Sequence, residues 1–98
     1  MLESKFQHKL IKQIKTVFPG SIVLKNDANY IQGFPDLLVL YKTKWAALEC
    51  KASSKATHRP NQDFFVKKLN AMSFSRFVYP ENKDEVMKDL ANHFRRQR

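Results

Sequence analysis

Between Gly33 and Lys51 the chain carries two apolar runs joined by three polar residues, and no other stretch restricts the fold as strongly. Gly33 and Pro35 punctuate a turn. Leu37 to Tyr41 is apolar, with β-branched and aromatic members, and reads as a buried strand. Lys42-Thr43-Lys44 is short enough for a tight hairpin, and Trp45 to Cys50 is the returning strand. Each run carries an acid that an apolar pattern does not need. Asp36 opens the first and Glu49 nearly closes the second. In an antiparallel hairpin the start of one strand lies beside the end of the next, so a three-residue loop brings Asp36 and Glu49 close to opposite each other. Like charges opposite one another destabilise a sheet. The pair makes physical sense with a divalent cation between the two carboxylates. Lys51 follows Glu49 by two residues, so its side chain leaves the same face.

The rest of the composition bounds what surrounds this hairpin. Ninety-eight residues make one domain, 1–98, with a thin stability margin, since a chain of this size buries only about two-thirds of its unfolded surface. A hydrophobic content of 43% argues against disorder, and eight Phe supply much of a core. No apolar run reaches membrane-spanning length and no signal-peptide layout opens the chain. One cysteine excludes an internal disulfide and suits a reducing compartment, so a cytoplasmic location is expected. His8, His58 and His93 lie far apart and lack zinc-ligand spacing. The net charge of +9, with a pI near 9.9, favours a polyanionic partner, most simply nucleic acid. The competing readings are an anionic membrane surface, for which no strongly amphipathic basic helix is evident, and a basic surface kept for solubility.

Taken in order, Leu2 to Phe18 places Leu2, Phe6, Leu10, Ile14 and Val17 at helical spacing, widened by Ile11 and Phe18, and Pro19-Gly20 stops the helix. Glu3 is its only acid, where a carboxylate also favours the helix macrodipole. Ser21 to Lys25 is a short strand, with Ile22 and Leu24 facing one way and Val23 and Lys25 the other. Asn26 to Gln32 is polar and irregular. After the hairpin, Ala52 to Pro60 is a small-residue, basic loop whose Lys55, His58 and Arg59 either grip phosphates or form a solvated mobile segment. Pro60 starts a helix with Phe64, Phe65, Leu69 and Met72 as its apolar stripe and Gln62 in its first turn. Arg76 to Tyr79 is a last strand. Asn82 and Glu85 fit a capping box before a helix carrying Val86, Met87, Leu90 and Phe94, and the basic tail Arg95 to Arg98 frays. The expected architecture is α/β, a mixed central sheet flanked by helices in the order αβββαβα.

The motif Pro35-Asp36, a gap, then Glu49-Cys50-Lys51 on two neighbouring strands resembles the hallmark of the PD-(D/E)XK nuclease superfamily. Acid-X-Lys alone is common; the context of Gly33-x-Pro35-Asp36 before one apolar strand and a Gln-bearing helix start after the other raises its weight. Within that superfamily the chain looks most like small VRR-NUC domains and Holliday junction resolvases, over roughly Glu3 to Leu90. The resemblance implies a restriction-endonuclease-like core and a Mg²⁺- or Mn²⁺-dependent deoxyribonuclease acting on branched or double-stranded DNA. It implies Asp36, Glu49 and the backbone carbonyl of Cys50 as metal ligands, and Lys51 as the residue that positions water and offsets phosphate charge. It implies Glu3 and Gln62 beside the metal-bound water or a second ion, and Lys25 and Asn26 near the phosphate. A resolvase makes two symmetric cuts and would act as a homodimer. A monomeric nicking or flap nuclease and a non-catalytic basic DNA-binding module are the alternatives. Small stand-alone nucleases of this kind suit a phage or mobile element, acting in the host cytoplasm.

Overall fold

The computed structural model describes residues 1–96; Gln97 and Arg98, the end of the expected basic tail, lie outside the described residues. The element order is α1 (Glu3–Val17), β1 (Ile22–Lys25), β2 (Leu37–Tyr41), β3 (Lys44–Cys50), α2 (Gln62–Met72), β4 (Ser75–Val78) and α3 (Lys83–Arg95), which is the expected αβββαβα. The four strands form one mixed sheet in the order β1-β2-β3-β4. β1, β2 and β3 pair antiparallel, and β4 pairs parallel to β3 after α2 carries the chain back. No helix among the described residues is long and apolar enough to cross a membrane.

Alternation along the strands divides the sheet into two faces. Leu37 and Val39 on β2, with Ala46, Leu48 and Cys50 on β3 and Val78 on β4, point into the main core. Phe6, Leu10, Ile14 and Phe18 of α1 and Val86, Leu90 and Phe94 of α3 cover them. Each such side chain, removed from water, contributes roughly 1.5–3 kcal/mol. The α1 stripe that packs is the strict four-residue series ending at Phe18. Leu2 and Val17, expected in that stripe, are 73% and 48% exposed because the helix ends turn them off the sheet. At the hairpin end the rings of Phe18, Tyr41 and Phe94 meet with centroids 5.0–5.4 Å apart, tying both helices to β2.

The other face is covered over β3 and β4 by α2, through Leu69, while its β1–β2 half is left open. Phe64 and Met72, expected in the buried stripe of α2, are 59% and 64% exposed, because one short helix on a half-covered face buries a narrow stripe. Pro60 does not open this helix: Asn61 precedes it in a left-handed conformation, φ 72°, and Gln62 is its first residue. Asn82 precedes α3 without capping it. Its side chain instead accepts from the Tyr79 N–H at 2.9 Å and donates to the Phe77 carbonyl at 3.0 Å, bracing the turn after β4.

The hairpin closes one residue tighter than expected. Tyr41 pairs with Lys44, leaving only Lys42 and Thr43 in the loop, and Lys42 takes φ 56° to make that turn. The register runs from there to Leu37↔Leu48, and one further step sets Asp36 directly opposite Glu49, on the α2 side of the sheet.

Candidate functional site

At the end of the β2–β3 ladder the backbone hydrogen bonds give way to carboxylates. The Asp36 N–H donates to Glu49 Oε1 at 3.2 Å, and the Cys50 N–H donates to Asp36 Oδ2 at 3.0 Å. Each acid therefore accepts a backbone amide from the opposite strand, so the pair is held in place by the ends of the strands themselves. Asn26 clamps the same turn from outside: its side-chain amide donates to the Pro35 carbonyl at 2.8 Å and its N–H donates to the Asp36 carbonyl at 2.7 Å. Pro35 beneath it is fully buried.

Gly33 lets the start of α2 close over this turn. Its φ is +88°, and an added Cβ would sit 2.6 Å from Asn61 Cβ and 2.8 Å from the Pro60 carbonyl oxygen. That approach delivers Gln62 to the acids. The Gln62 amide donates to Glu49 Oε2 at 2.9 Å, and its Oε1 accepts from Lys51 Nζ and from the Arg59 N–H, both at 2.7 Å. Lys51 Nζ also donates to the Thr57 carbonyl at 3.0 Å and stands 3.9 Å from Glu49 Oε2. Glu49, Lys51 and Gln62 are all buried, at 3%, 5% and 7% exposure.

Burial pushes Glu49 up to about 8, and the Asp36 carboxylate pushes in the same direction against the pull of Lys51. Burial also raises Asp36, opposed by the Cys50 amide and Lys51. The Cys50 thiol is raised by burial too; it lies in the core as an inert apolar group, and only the Cys50 backbone borders the acids. Two carboxylates, Glu49 buried and Asp36 half-buried, offer hard oxygen donors short of compensating positive charge and fit a divalent cation such as Mg²⁺, which is commonly held by one or two carboxylates plus substrate phosphate. Among the described residues no group of three or more His, Cys, Asp or Glu side chains gathers closely enough to hold a metal by itself.

Glu3, Asp36, Glu49, Lys51, Arg59 and Gln62 line a single solvent-open pocket of about 380 Å³, walled on one side by Phe34 and the loop before it. Glu3 opens α1 at the rim, and its charge adds to the forces raising Glu49. Of the four basic-patch residues picked out in the sequence, only Arg59 lines the pocket. Lys25 and Lys55 are exposed outside it. His58 lies flat on Phe77, with centroids 4.0 Å apart, and hydrogen-bonds Asp63 at 2.8 Å, so it braces the loop. Reading the residues alone missed the Thr57 carbonyl and the contact of Gly33 with Pro60 and Asn61, since main-chain groups leave no residue-type signal. Asn26, which the resemblance places near the phosphate, has its side-chain N–H on the Pro35 carbonyl.

Comparison with known protein families, with curated proteins and with solved structures returns no match to this chain.

Proposed function

We propose that this protein is a metal-dependent endonuclease that hydrolyses DNA phosphodiester bonds, a nuclease of the PD-(D/E)XK type. The observation that carries the reading is the pair of half-buried Asp36 and buried Glu49, joined through Gln62 to Lys51, in an open pocket on a chain of net charge +9. A pure DNA-binding module gains nothing from setting carboxylates against phosphate, which argues against that alternative.

Asp36 and Glu49 would hold the cation, with the Cys50 carbonyl as a further ligand and Glu3 at the rim. Mg²⁺ or Mn²⁺ supplies Lewis-acid charge against the negative charge that grows on the phosphate. Hydrolysis joins a water oxygen to phosphorus, breaks the bond to the departing ester oxygen and leaves a proton on it. Lys51 enters this step already oriented. Gln62 and the Thr57 carbonyl hold its ammonium over the acid pair, where it offsets phosphate charge and orients the attacking water. Arg59 at the pocket wall anchors a flanking phosphate.

Incubation with supercoiled plasmid and with a four-way junction, in Mg²⁺ and in EDTA, tests the reading. Cleavage in Mg²⁺ that is lost in EDTA and in Asp36→Asn supports it; intact DNA under all conditions overturns it. Two symmetric cuts across the junction need two chains. Support for a homodimer comes from the open half of the α2-side sheet face, where the register pairs Ile22↔Leu40 and Leu24↔Leu38 leave Ile22 and Leu24 55% and 46% exposed. A monomer mass in solution with single-strand nicks would favour the nicking or flap enzyme over the resolvase.

A further inference from the structure

Phe34 also lines a second pocket. Asn26, Asp27, Tyr30, Ile31 and Phe34 line a shallow, solvent-open hollow of about 350 Å³, so the same residue borders both this hollow and the acid pocket. We propose that this second pocket receives an unpaired nucleobase from the nucleotide next to the scissile phosphate, so that the substrate carries single-stranded DNA at the cut. The inference rests on the nuclease reading and names its substrate class.

Three features select a base as the occupant. First, the lining is apolar and aromatic. Tyr30 is 84% exposed, the most exposed large apolar side chain, and Ile31 is 40% exposed, an arrangement that costs the free protein hydrophobic surface and gains by covering a flat π-face. The Phe34 ring is fixed edge-on to Phe65 at 5.5 Å, so the back wall is rigid before any ligand arrives. Second, the one charged group in the lining is the Asp27 carboxylate, which repels a phosphate; its Oδ1 accepts from the Asn29 N–H at 2.9 Å, and its Oδ2 is left to accept from a base amino group. The Asn26 side-chain N–H donates to the Pro35 carbonyl, which leaves its Oδ1 as a second acceptor for a base amino group. Third, cationic groups are close in the chain and in the adjoining site: exposed Lys25 immediately precedes the pocket residues and Arg59 lines the acid pocket, so counter-charges are at hand for the sugar-phosphate backbone. Bases inside an intact duplex hide their faces in the stack, and presenting one here requires a flap, a frayed end or a junction arm that is already unpaired.

The test measures binding in EDTA, so that chemistry is silent, using a blunt DNA duplex and the same duplex with a single-stranded tail. The tailed duplex should bind more tightly. Tyr30→Ala should remove most of that preference, about tenfold, while leaving blunt-duplex affinity unchanged, and Tyr30→Phe, which keeps the ring, should retain it. Equal affinity of the wild type for the two duplexes overturns the proposal, as does Tyr30→Ala weakening both alike. A Tyr30→Ala chain that changes its solution mass without DNA while keeping the tail preference also overturns it, because a second copy then covers the patch. Cleavage in Mg²⁺ is scored separately. Tail preference through Tyr30 without any cleavage would sink the nuclease reading and leave the base pocket standing; cleavage without tail preference would do the reverse.

Discussion

Lys51 reaches Glu49 through Gln62. The direct separation of Nζ and Oε2 is 3.9 Å, whereas Gln62 accepts from Lys51 at 2.7 Å and donates to Glu49 at 2.9 Å. A neutral amide between two buried ionisable groups gives each a partner and keeps the lysine from collapsing onto the acid that the metal needs. Gln62→Ala should therefore lower stability by roughly 1–3 kcal/mol, because it strips partners from two buried ionisable groups, and should also slow cleavage. Paired thermal melts and cleavage rates check this; an unchanged melting point would mean that Lys51 and Glu49 pair directly without loss.

Asp36→Asn, Glu49→Gln and Lys51→Ala should each abolish cleavage and leave DNA affinity nearly unchanged, since affinity comes from dispersed Lys and Arg. Parallel cleavage and binding assays decide it. Near-normal cleavage by either carboxylate variant would remove the site assignment.

Affinity itself should fall steeply with salt. If roughly six phosphates are neutralised, the loss between 50 and 200 mM salt is about a thousandfold. A flat titration would mean that the net charge of +9 is not a DNA footprint.

Without metal the acid pair should cost stability, in a defined pH window. Glu49 is raised from an ordinary 4.5 to about 8, so between those values the folded chain holds a proton that the unfolded chain has released. Stability is therefore fullest below pH 4.5 on account of this group, falls as pH climbs, and levels off above about 8. In EDTA, wild type minus Glu49→Gln should show that decline as a difference in melting temperature. At neutral pH Asp36→Asn should stabilise by on the order of 1 kcal/mol, a shift of several degrees, and should gain less from Mg²⁺ than the wild type. If Asp36→Asn melts lower in EDTA and both respond equally to Mg²⁺, Asp36 is structural.

Gly33→Ala and Gly20→Ala separate strain from collision. Both glycines have φ near +90°, so both substitutions carry the left-handed penalty of roughly 1 kcal/mol or more. Only Gly33 would press a methyl into Asn61 and Pro60; nothing lies within 4 Å of the one on Gly20. Gly33→Ala should be the more destabilised in chemical denaturation and should lose cleavage, because the start of α2 that carries Gln62 is pushed off the turn. Equal losses at the two positions would mean that the Gly33–Asn61 contact yields without cost.

The element order, the main-core residues of α1 and α3 and the acid pair were legible in the sequence because each rests on local rules. Apolar spacing of four marks Phe6, Leu10, Ile14 and Phe18, alternation and turn residues mark β2 and β3, and an acid in an apolar run stands out wherever it falls. The site geometry was decided elsewhere. A three-residue loop would pair Tyr41 with Trp45 and set Asp36 against Cys50, on the wrong face; the left-handed turn at Lys42 shortens the loop by one and sets Asp36 against Glu49. Local propensity does not choose between those registers, since the lysine accepts its unfavourable φ only because the slipped register would turn Leu37 and Val39 out of the core. In the same way, the left-handed Asn61, the Thr57 carbonyl on Lys51 and the placing of Gln62 between Lys51 and Glu49 depend on a loop and a helix folding back over the sheet. The residue types that do the chemistry were written in the chain, but their spacing in the site was set by long-range packing, because contacts between residues distant in sequence leave no periodicity to read.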